Sequence, residues 1–401
     1  MIVQGGFMNP PCKAGMGPVH EPAHDLQIMK IIAISTARIP SDTANSIQVM
    51  KACQAMQQIG HEVELLVPGA NPSPWDLLAE RYGLTTPFGV TWLPARSSLR
   101  RYDFSWKAAR LANRKKFDIL YTWPVQAAVF GRSLNLPVVL DLHGPPAGRL
   151  GPRLFRSFLR HGERRRVCPI TKALLEILER RYGSRLDPDQ VVIAPNGVEL
   201  ERYTGLPAPS EARGQLGISG DPVAGYTGHL YPGRGMGLLL ELAKRHPQVQ
   251  FVWIGGREGD VAYWTSRLER EEVRNIRITG FIDNRRLPLY QAAMDFLLMP
   301  YEKVIEGSGG GNSADYCSPM KMFEYMATGR AIISSDLTPL REVLDEEIAV
   351  LCPPEDPDAW SHALTALLSD PDRARLLGES ARLRAQAYTW TGRQKRILEG
   401  L

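Results

Sequence analysis

Residues 29–67 read MKIIAISTARIPSDTANSIQVMKACQAMQQIGHEVELLV, and this stretch decides the fold. Ile31–Ser35 is a short apolar run suited to a strand buried on both faces. Val49, Cys53, Met56 and Ile59 recur at spacings of three and four, which places them on one helical face, and Gly60 supplies a stop. Glu62–Val67 is the next apolar run. A strand, a helix and a strand in that order form the unit of a parallel sheet, because parallel neighbours need a crossover connection. Further strands are expected at Asp118–Thr122, Pro137–His143 and Val191–Ala194. The turn signal Pro195-Asn196-Gly197 and a polar, proline-containing stretch up to about Pro222 then predict a linker. The alternation restarts beyond it, with strands expected at Val223–Thr227, Phe251–Gly255, Ile276–Thr279, Phe296–Met299, Ala331–Ser334 and Ala349–Cys352. The fold class is therefore α/β, with two parallel-sheet halves meeting near residue 200 and facing across a cleft. Open α/β sheets bind ligands beyond the carboxyl ends of their strands, so the loops after these strands should carry function.

Composition agrees. The 401 residues, 44% apolar and 23% charged, provide material for two domains at roughly 150 residues each. That excludes a disordered chain, a fibrous repeat and a small disulfide scaffold. No run approaches the ~18 apolar residues of a membrane-spanning helix. The five cysteines are odd in number, widely spaced and without a C-x-x-C pair, which points to a reducing compartment and to neither disulfides nor zinc. Residues 1–28 form a Pro- and Gly-rich leader without a continuous apolar core, so the segment is expected to be disordered and not a secretory signal.

A net charge of +5 is too small to carry nucleic-acid binding, and no nucleic-acid partner is expected. The charge is clustered, however. Eight basic residues lie between Arg96 and Lys116 against Asp103, and seven arginines lie between Arg149 and Arg166 against Glu163. In the second cluster Leu154, Phe155, Phe158 and Leu159 form an apolar stripe, while Arg153, Arg156, Arg160 and Arg164 form a basic one. The pattern reads either as a helix lying on an anionic membrane surface or as a domain helix with its apolar face on the sheet.

Chemistry concentrates in residues 317–329, CSPMKMFEYMATG. Ser318 suits an N-cap, Pro319 suits the first helical position, and Gly329 ends the helix. The backbone amides of Met320 and Lys321 would then point out of the helix start, forming an anion site. Lys321 and Glu324 share one face and offer a cation for phosphate and a carboxylate for sugar hydroxyls. The plain alternative is a capped surface helix with an i,i+3 ion pair. His143 ends a buried strand and faces the expected cleft. Asp187-Pro-Asp189, Asp356-Pro-Asp358 and Asp370-Pro-Asp372 mimic a metal-binding acidic pattern, but Asp-Pro at turns and helix starts is capping chemistry. Gly233-Arg-Gly235-Met-Gly237 lacks the full glycine spacing of a dinucleotide site.

The segment SPMKMFEYMATGRAIISSDLTPLREVL resembles the donor-site region of the retaining GT-B glycosyltransferases of glycosyltransferase family 4. PSDTANSIQVMKACQAMQQIGHEVELL, VIAPNGVELERY, YTGHLYPGRGMGLLLELA and ITGFIDNRRLPLYQAAMDFLLMPY agree in order and spacing, so the resemblance runs from about Met29 to the C-terminus. It implies two Rossmann-like domains, an acceptor-side domain at 29–200 and a nucleotide-sugar-binding domain at 201–375. A C-terminal helix, within 376–401 and associated with Tyr388-Thr389-Trp390, would return to the first domain. It further implies transfer of a hexose-type sugar, with retention, from a nucleoside-diphosphate sugar to a glycan, glycolipid or lipid-linked acceptor, without a metal cofactor.

Residue by residue, the resemblance implies that Ser318 and Lys321, with the helix amides, hold the diphosphate, that Pro319 and Met320 belong to the donor-binding set and that Glu324 binds the nucleotide ribose. Arg234 falls at the family's lysine position and His229 near its arginine, so Arg234, and His229 if protonated, would neutralise the leaving diphosphate. Phe281 and Ile282 fall where backbone meets the nucleobase, and His143 where a histidine contacts the donor sugar. Asn45 and Ser46 lie in the acceptor or phosphate loop, which here lacks the usual Gly-Gly pair. The family's first glutamate is absent. Tyr316 stands in its place, Asp315 is one position off, and Glu306 lies upstream in the Gly-rich loop 306–312. That departure bears on donor choice. It leaves as alternatives another GT-B reaction, such as a phosphorylase or nucleotide-sugar epimerase, and a non-catalytic sugar-nucleotide-binding subunit. The expected location is cytoplasmic, with the first domain docked on the inner membrane leaflet through 96–116 and 149–166.

Overall fold

The computed structural model describes residues 28–160, 164–183, 186–305 and 312–401. The expected leader, Glu163, Glu306 and most of the Gly-rich loop lie outside the described residues. The first lobe runs β1 (Lys30–Ile34), α1 (Ala44–Gln58), β2 (Glu62–Pro68), α2 (Trp75–Tyr82), β3 (Gly89–Leu93) and α3 (Tyr102–Arg114). It continues through β4 (Ile119–Thr122), α4 (Val125–Ser133), β5 (Val138–Leu142), α5 (Gly151–Arg160), β6 (Arg165–Pro169) and α6 (Lys172–Tyr182). The six strands form one parallel sheet in the order β3-β2-β1-β4-β5-β6. Ile31 pairs with Val63 on one side and Ile119 on the other. Ile31 to Ile34 have no exposed surface, as a central parallel strand covered on both faces requires. Ile31 and Ala33 join the apolar layer under α1, whereas Ile32 and Ile34 face the layer that includes Phe104 and Val125.

The second lobe runs α7 (Pro209–Leu216), β7 (Val223–Thr227), α8 (Met236–Arg245), β8 (Gln250–Ile254), α9 (Glu258–Arg270), β9 (Ile276–Ile278) and α10 (Leu287–Ala292). It continues with β10 (Phe296–Met299), α11 (Met320–Thr328), β11 (Ala331–Ser335), β12 (Val350–Cys352), α12 (Pro357–Ser369) and α13 (Pro371–Ala385). Its parallel sheet has the order β12-β11-β10-β7-β8-β9, and its strands fall where the alternation places them.

Three expectations change, and one open alternative is decided. β3 and β6 are strands that the apolar pattern does not reveal, because both are sheet edges and β6 opens with Arg165-Arg166. Val191–Ala194 is no ladder strand, since only Val191 bridges to Val167. The expected linker contains α7, whose Ala212 is buried in the second core and whose Arg213 Nη1 pairs with Asp295 Oδ2 at 2.7 Å. The basic helix α5 turns its apolar face inward: Phe155 and Phe158 are buried in the first core, while Arg153, Arg156 and Arg160 are exposed. No helix among the described residues is long and apolar enough to cross a membrane.

The C-terminal part divides more finely than a unit at 376–401. α13 packs on α11 and β11 in the second lobe, and only the last helix, α14 (Trp390–Leu398), rests on α1 of the first. Two backbone segments therefore cross between the lobes side by side. Val198 N donates to Tyr388 O at 2.9 Å, and Trp390 N donates to Val198 O at 3.2 Å. A Cβ at Gly197 would lie 2.9 Å from that returning backbone, so the crossing requires glycine there.

Candidate active site

The site is built around the carboxyl end of β7. Thr227 N and Oγ1 contact Tyr325 Oη at 2.8 and 3.1 Å, which fastens α11 against the strand. The next residue is Gly228, at φ +139°, where an added Cβ would lie 2.9 Å from Lys321 Nζ. Glycine at that position leaves the lysine its place over the strand end. The following loop is held by Glu302, whose carboxylate accepts from Gly233 N and Gly235 N at 3.2 and 3.1 Å. Held in this way, the loop presents Arg234. Its Cζ lies 4.8 Å from the ring centre of Tyr231 and 5.1 Å from that of Tyr301. Lys321 Nζ lies 3.8 Å from the ring centre of Tyr226 and 5.3 Å from that of Tyr301. Lys321 Nζ and Arg234 Nε are shielded from solvent without a hydrogen-bond partner. Burial and the Arg234 charge together push Lys321 well below the usual lysine value.

α11 starts one residue later than its capping pattern suggests. Pro319 is the N-cap, with no side-chain capping bond, and Met320 is the first helical residue. Ser318 is drawn away from capping by the crossing turn. Its Oγ accepts from Asn196 N at 3.1 Å, and its carbonyl accepts from Asn196 Nδ2 at 2.6 Å. The amides of Met320 and Lys321 have no carbonyl ahead of them within the helix, so the start of α11 stays suited to an anion. Glu324 forms no ion pair with Lys321. It accepts from Gln291 Nε2 at 3.2 Å and faces a small pocket between the lobes with Lys51, Glu199 and Arg202. Burial raises its carboxyl, against the pull of Arg202. Lys51 bonds Glu199, and burial outweighs that partner to bring the ammonium down to about 8.

The remaining expected residues divide. His229 stacks on Tyr231 with ring centres 5.5 Å apart. Burial lowers its pKa, against the pull of Asp42 and aided by the nearby Arg257, Arg234 and Lys321 charges. Its surroundings in the free protein thus disfavour the protonated ring that the expected diphosphate contact would need. Ile282 packs on the second core, and Phe281 is exposed beneath Arg81, whose Cζ lies 5.3 Å from the ring centre. Phe281 lines an open groove of about 940 Å³, where Asp42 of the first lobe meets Arg257 of the second at 3.3 Å. Asn45 is exposed on the first turn of α1. Ser46 is buried, and its hydroxyl bonds Ser41 O at 3.1 Å and Thr43 O at 2.8 Å, which shapes the loop.

Across the cleft, His143 follows β5. Its Nε2 lies 3.2 Å from Asp141 Oδ1, angled away from a directed hydrogen bond. Burial opposes ionisation of Asp141, but the charges of Arg393 and His143 outweigh it and hold the carboxyl well below its usual range. The Tyr316 ring packs on Gly144 and belongs to the first lobe's apolar layer, and its carbonyl accepts from Thr171 Oγ1 at 3.1 Å. The position of the absent glutamate is thus occupied by a ring turned into the opposite lobe. Asp315 is exposed and accepts from Asn312 Nδ2 at 3.2 Å.

The acidic Asp-Pro strings cap turns and helices: Asp187 accepts from Asp189 N, Asp356 from Asp358 N, and Asp370 from Arg373 N. Among the described residues no three His, Cys, Asp or Glu side chains form a cluster able to hold a metal ion. Sequence reading missed Asp141, although D-x-H on one strand places both side chains on the same face. It also missed Tyr226, Tyr301, Glu302 and Arg393, which no local pattern marks.

An anion cradle at the carboxyl edge of one parallel sheet, facing a second sheet of the same build, is the architecture of a GT-B glycosyltransferase. Residues 46–202 match the model described as Glycosyltransferase Family 4, and residues 221–370 match Glycosyl transferases group 1. The chain belongs to the family 4 type of GT-B glycosyltransferases. It is 27% identical over 266 residues to the D-inositol 3-phosphate glycosyltransferase of Corynebacterium urealyticum, a match spanning 60% of each chain. It is 24% identical over 361 residues to the phosphatidyl-myo-inositol mannosyltransferase of Mycolicibacterium smegmatis, covering 86% of each. In fold it is similar to Anabaena HepE in complex with UDP and glucose, with a TM-score of 0.72, 16% identity and coverage of 92% of this chain and 98% of that one.

Proposed function

We propose that this glycosyltransferase moves a hexose-type sugar, with retention of configuration, from a nucleoside-diphosphate sugar to a glycan, glycolipid or lipid-linked acceptor. One observation carries the reading: Arg234 and Lys321 converge on one tyrosine at the start of α11, with no carboxylate partner among the described residues. Burying charge without a partner is costly, and a diphosphate supplies the missing countercharge. The two cations and the α11 amides then stabilise charge as the diphosphate departs, without a metal ion. Glu324 is assigned to the ribose and His143 to the donor sugar. The names of the inositol-directed relatives and the UDP complex of Anabaena HepE support a nucleotide-sugar donor and a lipid-linked or phosphorylated acceptor. The exposed arginines of α5 and the basic residues of 96–116 favour work at an anionic membrane surface.

A thermal-shift panel of UDP-, GDP- and ADP-sugars tests the donor class, because a ligand that binds only the folded state raises its melting temperature. The expected result is a rise for one base, followed by transfer to an acceptor with the anomeric configuration kept. No shift with any member overturns the reading. Epimerisation without acceptor, or release of a sugar phosphate, replaces it with another GT-B reaction.

A further inference from the structure

Arg393 belongs to the last helix, yet it is only 1% exposed and every group it bonds lies in the first lobe or the crossing turn. Nη2 donates to Asp141 Oδ1 at 2.8 Å, Nη1 to Tyr121 Oη at 3.2 Å, and Nε to Pro195 O at 3.0 Å. Tyr121 Oη donates to Asp141 Oδ2 at 2.7 Å. Both carboxylate oxygens are therefore fixed, and the one that Arg393 holds is the one that His143 Nε2 faces. His143 Nε2 rests 3.2 Å from that oxygen without a directed hydrogen bond, so a carboxylate pinned at both oxygens places the ring by contact and charge and not by a shared proton.

The same helix also reaches the donor side. Trp390 packs with Ala52 and Ala55, and Met320, the first residue of α11, packs against that cluster. A fully buried ion pair is a weak source of net stability, since well-packed apolar side chains often do as well. The placement of Arg393 is better explained by what it holds.

We infer that Arg393 is a positioning residue: through Asp141 it keeps His143 in the orientation used for transfer, so that α14 links the histidine of one lobe to the anion-binding helix start of the other. The inference rests on the reading of the cleft as a nucleotide-sugar transferase site.

The test compares Arg393→Gln, Arg393→Lys, His143→Ala and the Arg393→Gln/His143→Ala double variant. It uses steady-state kinetics together with NMR of the imidazole nitrogens at fixed pH. Arg393→Gln is expected to lower kcat about 10- to 100-fold while donor KM stays within about twofold. Arg393→Lys restores most of the loss, and Arg393→Gln adds nothing in the His143→Ala background. The nitrogen resonances assigned to His143, by their absence in His143→Ala, move in Arg393→Gln and return in Arg393→Lys. An unchanged kcat, multiplicative losses in the double variant or unmoved His143 resonances overturn the inference. Should Arg393→Gln not fold, Asp141→Asn carries the same expectation with the local shape kept. A wild-type protein that turns over no nucleotide sugar counts against the transferase reading, and the resonances still decide whether Arg393 positions His143.

Discussion

Arg234 and Lys321 stand over the same ring, with Arg234 Cζ 5.1 Å and Lys321 Nζ 5.3 Å from the centre of Tyr301. The Arg234 charge disfavours the Lys321 ammonium where water is excluded, and aromatic faces offset only part of that cost. On the proposed reading, the arrangement trades stability of the free protein for anion binding. Arg234→Ala and Lys321→Ala should each lower turnover by at least about 100-fold with the fold retained. Lys321→Met should melt, without ligand, at the wild-type temperature or above it. Steady-state rates and thermal melts check both points, and near-normal turnover in the two alanine variants would overturn the site assignment.

The same lysine predicts a pH effect. Its pKa in the free protein is depressed by burial and by Arg234, so the free folded state holds the ammonium proton less tightly than the unfolded chain does. A bound diphosphate favours the ammonium, so binding takes up a proton and affinity falls as pH rises. For the free protein the sign is opposite: stability rises with pH between the depressed value and the unfolded value of about 10.4, because the unfolded chain binds the proton that the site refuses. Titration calorimetry of the nucleoside diphosphate over a pH series, in buffers of different ionisation enthalpy, should show an uptake that sets in as pH rises through the depressed lysine value. The same uptake in Lys321→Met would assign it elsewhere.

Tyr316 shows where motif reading stops. Its position marks a missing glutamate, but only the packing shows the ring inside the first lobe against Gly144. Restoring the family residue by Tyr316→Glu should therefore bury a carboxylate among apolar side chains. The expected outcome in a urea melt is a loss of about 3 kcal/mol with no gain in turnover. An unchanged midpoint would mean that the ring is not held there.

On the proposed reading, membrane attachment should be electrostatic. Phe155 and Phe158 are committed to the core, leaving Arg153, Arg156, Arg160, Arg110, Arg114 and Lys116 at the surface. Flotation with anionic vesicles should capture the protein at low salt and release it near ~1 M salt, where the Debye length falls to about 3 Å. Capture that survives high salt would point to apolar insertion, and no capture at low salt would remove the membrane partner.

The spacing of Val49, Cys53, Met56 and Ile59, the buried run at Ile31–Ser35 and the restart at Val223 were enough to define two parallel α/β halves. Hydrophobic periodicity is a local consequence of which face each element buries. The residues of 317–329 likewise announced a helix whose first amides are left without carbonyl partners, because helix termini expose amides whatever surrounds them. Packing decided the rest. Edge strands β3 and β6 carry little apolar signal, Ser318 is claimed by Asn196, and Ser46 by its own loop. Arg393 reaches Asp141 across most of the chain's length, and Arg234 meets Lys321 only over Tyr301. Such partners are set by where the two sheets and the returning helix place their ends. Periodicity carries no information about them, since it reports the burial of a face and not the identity of what covers it.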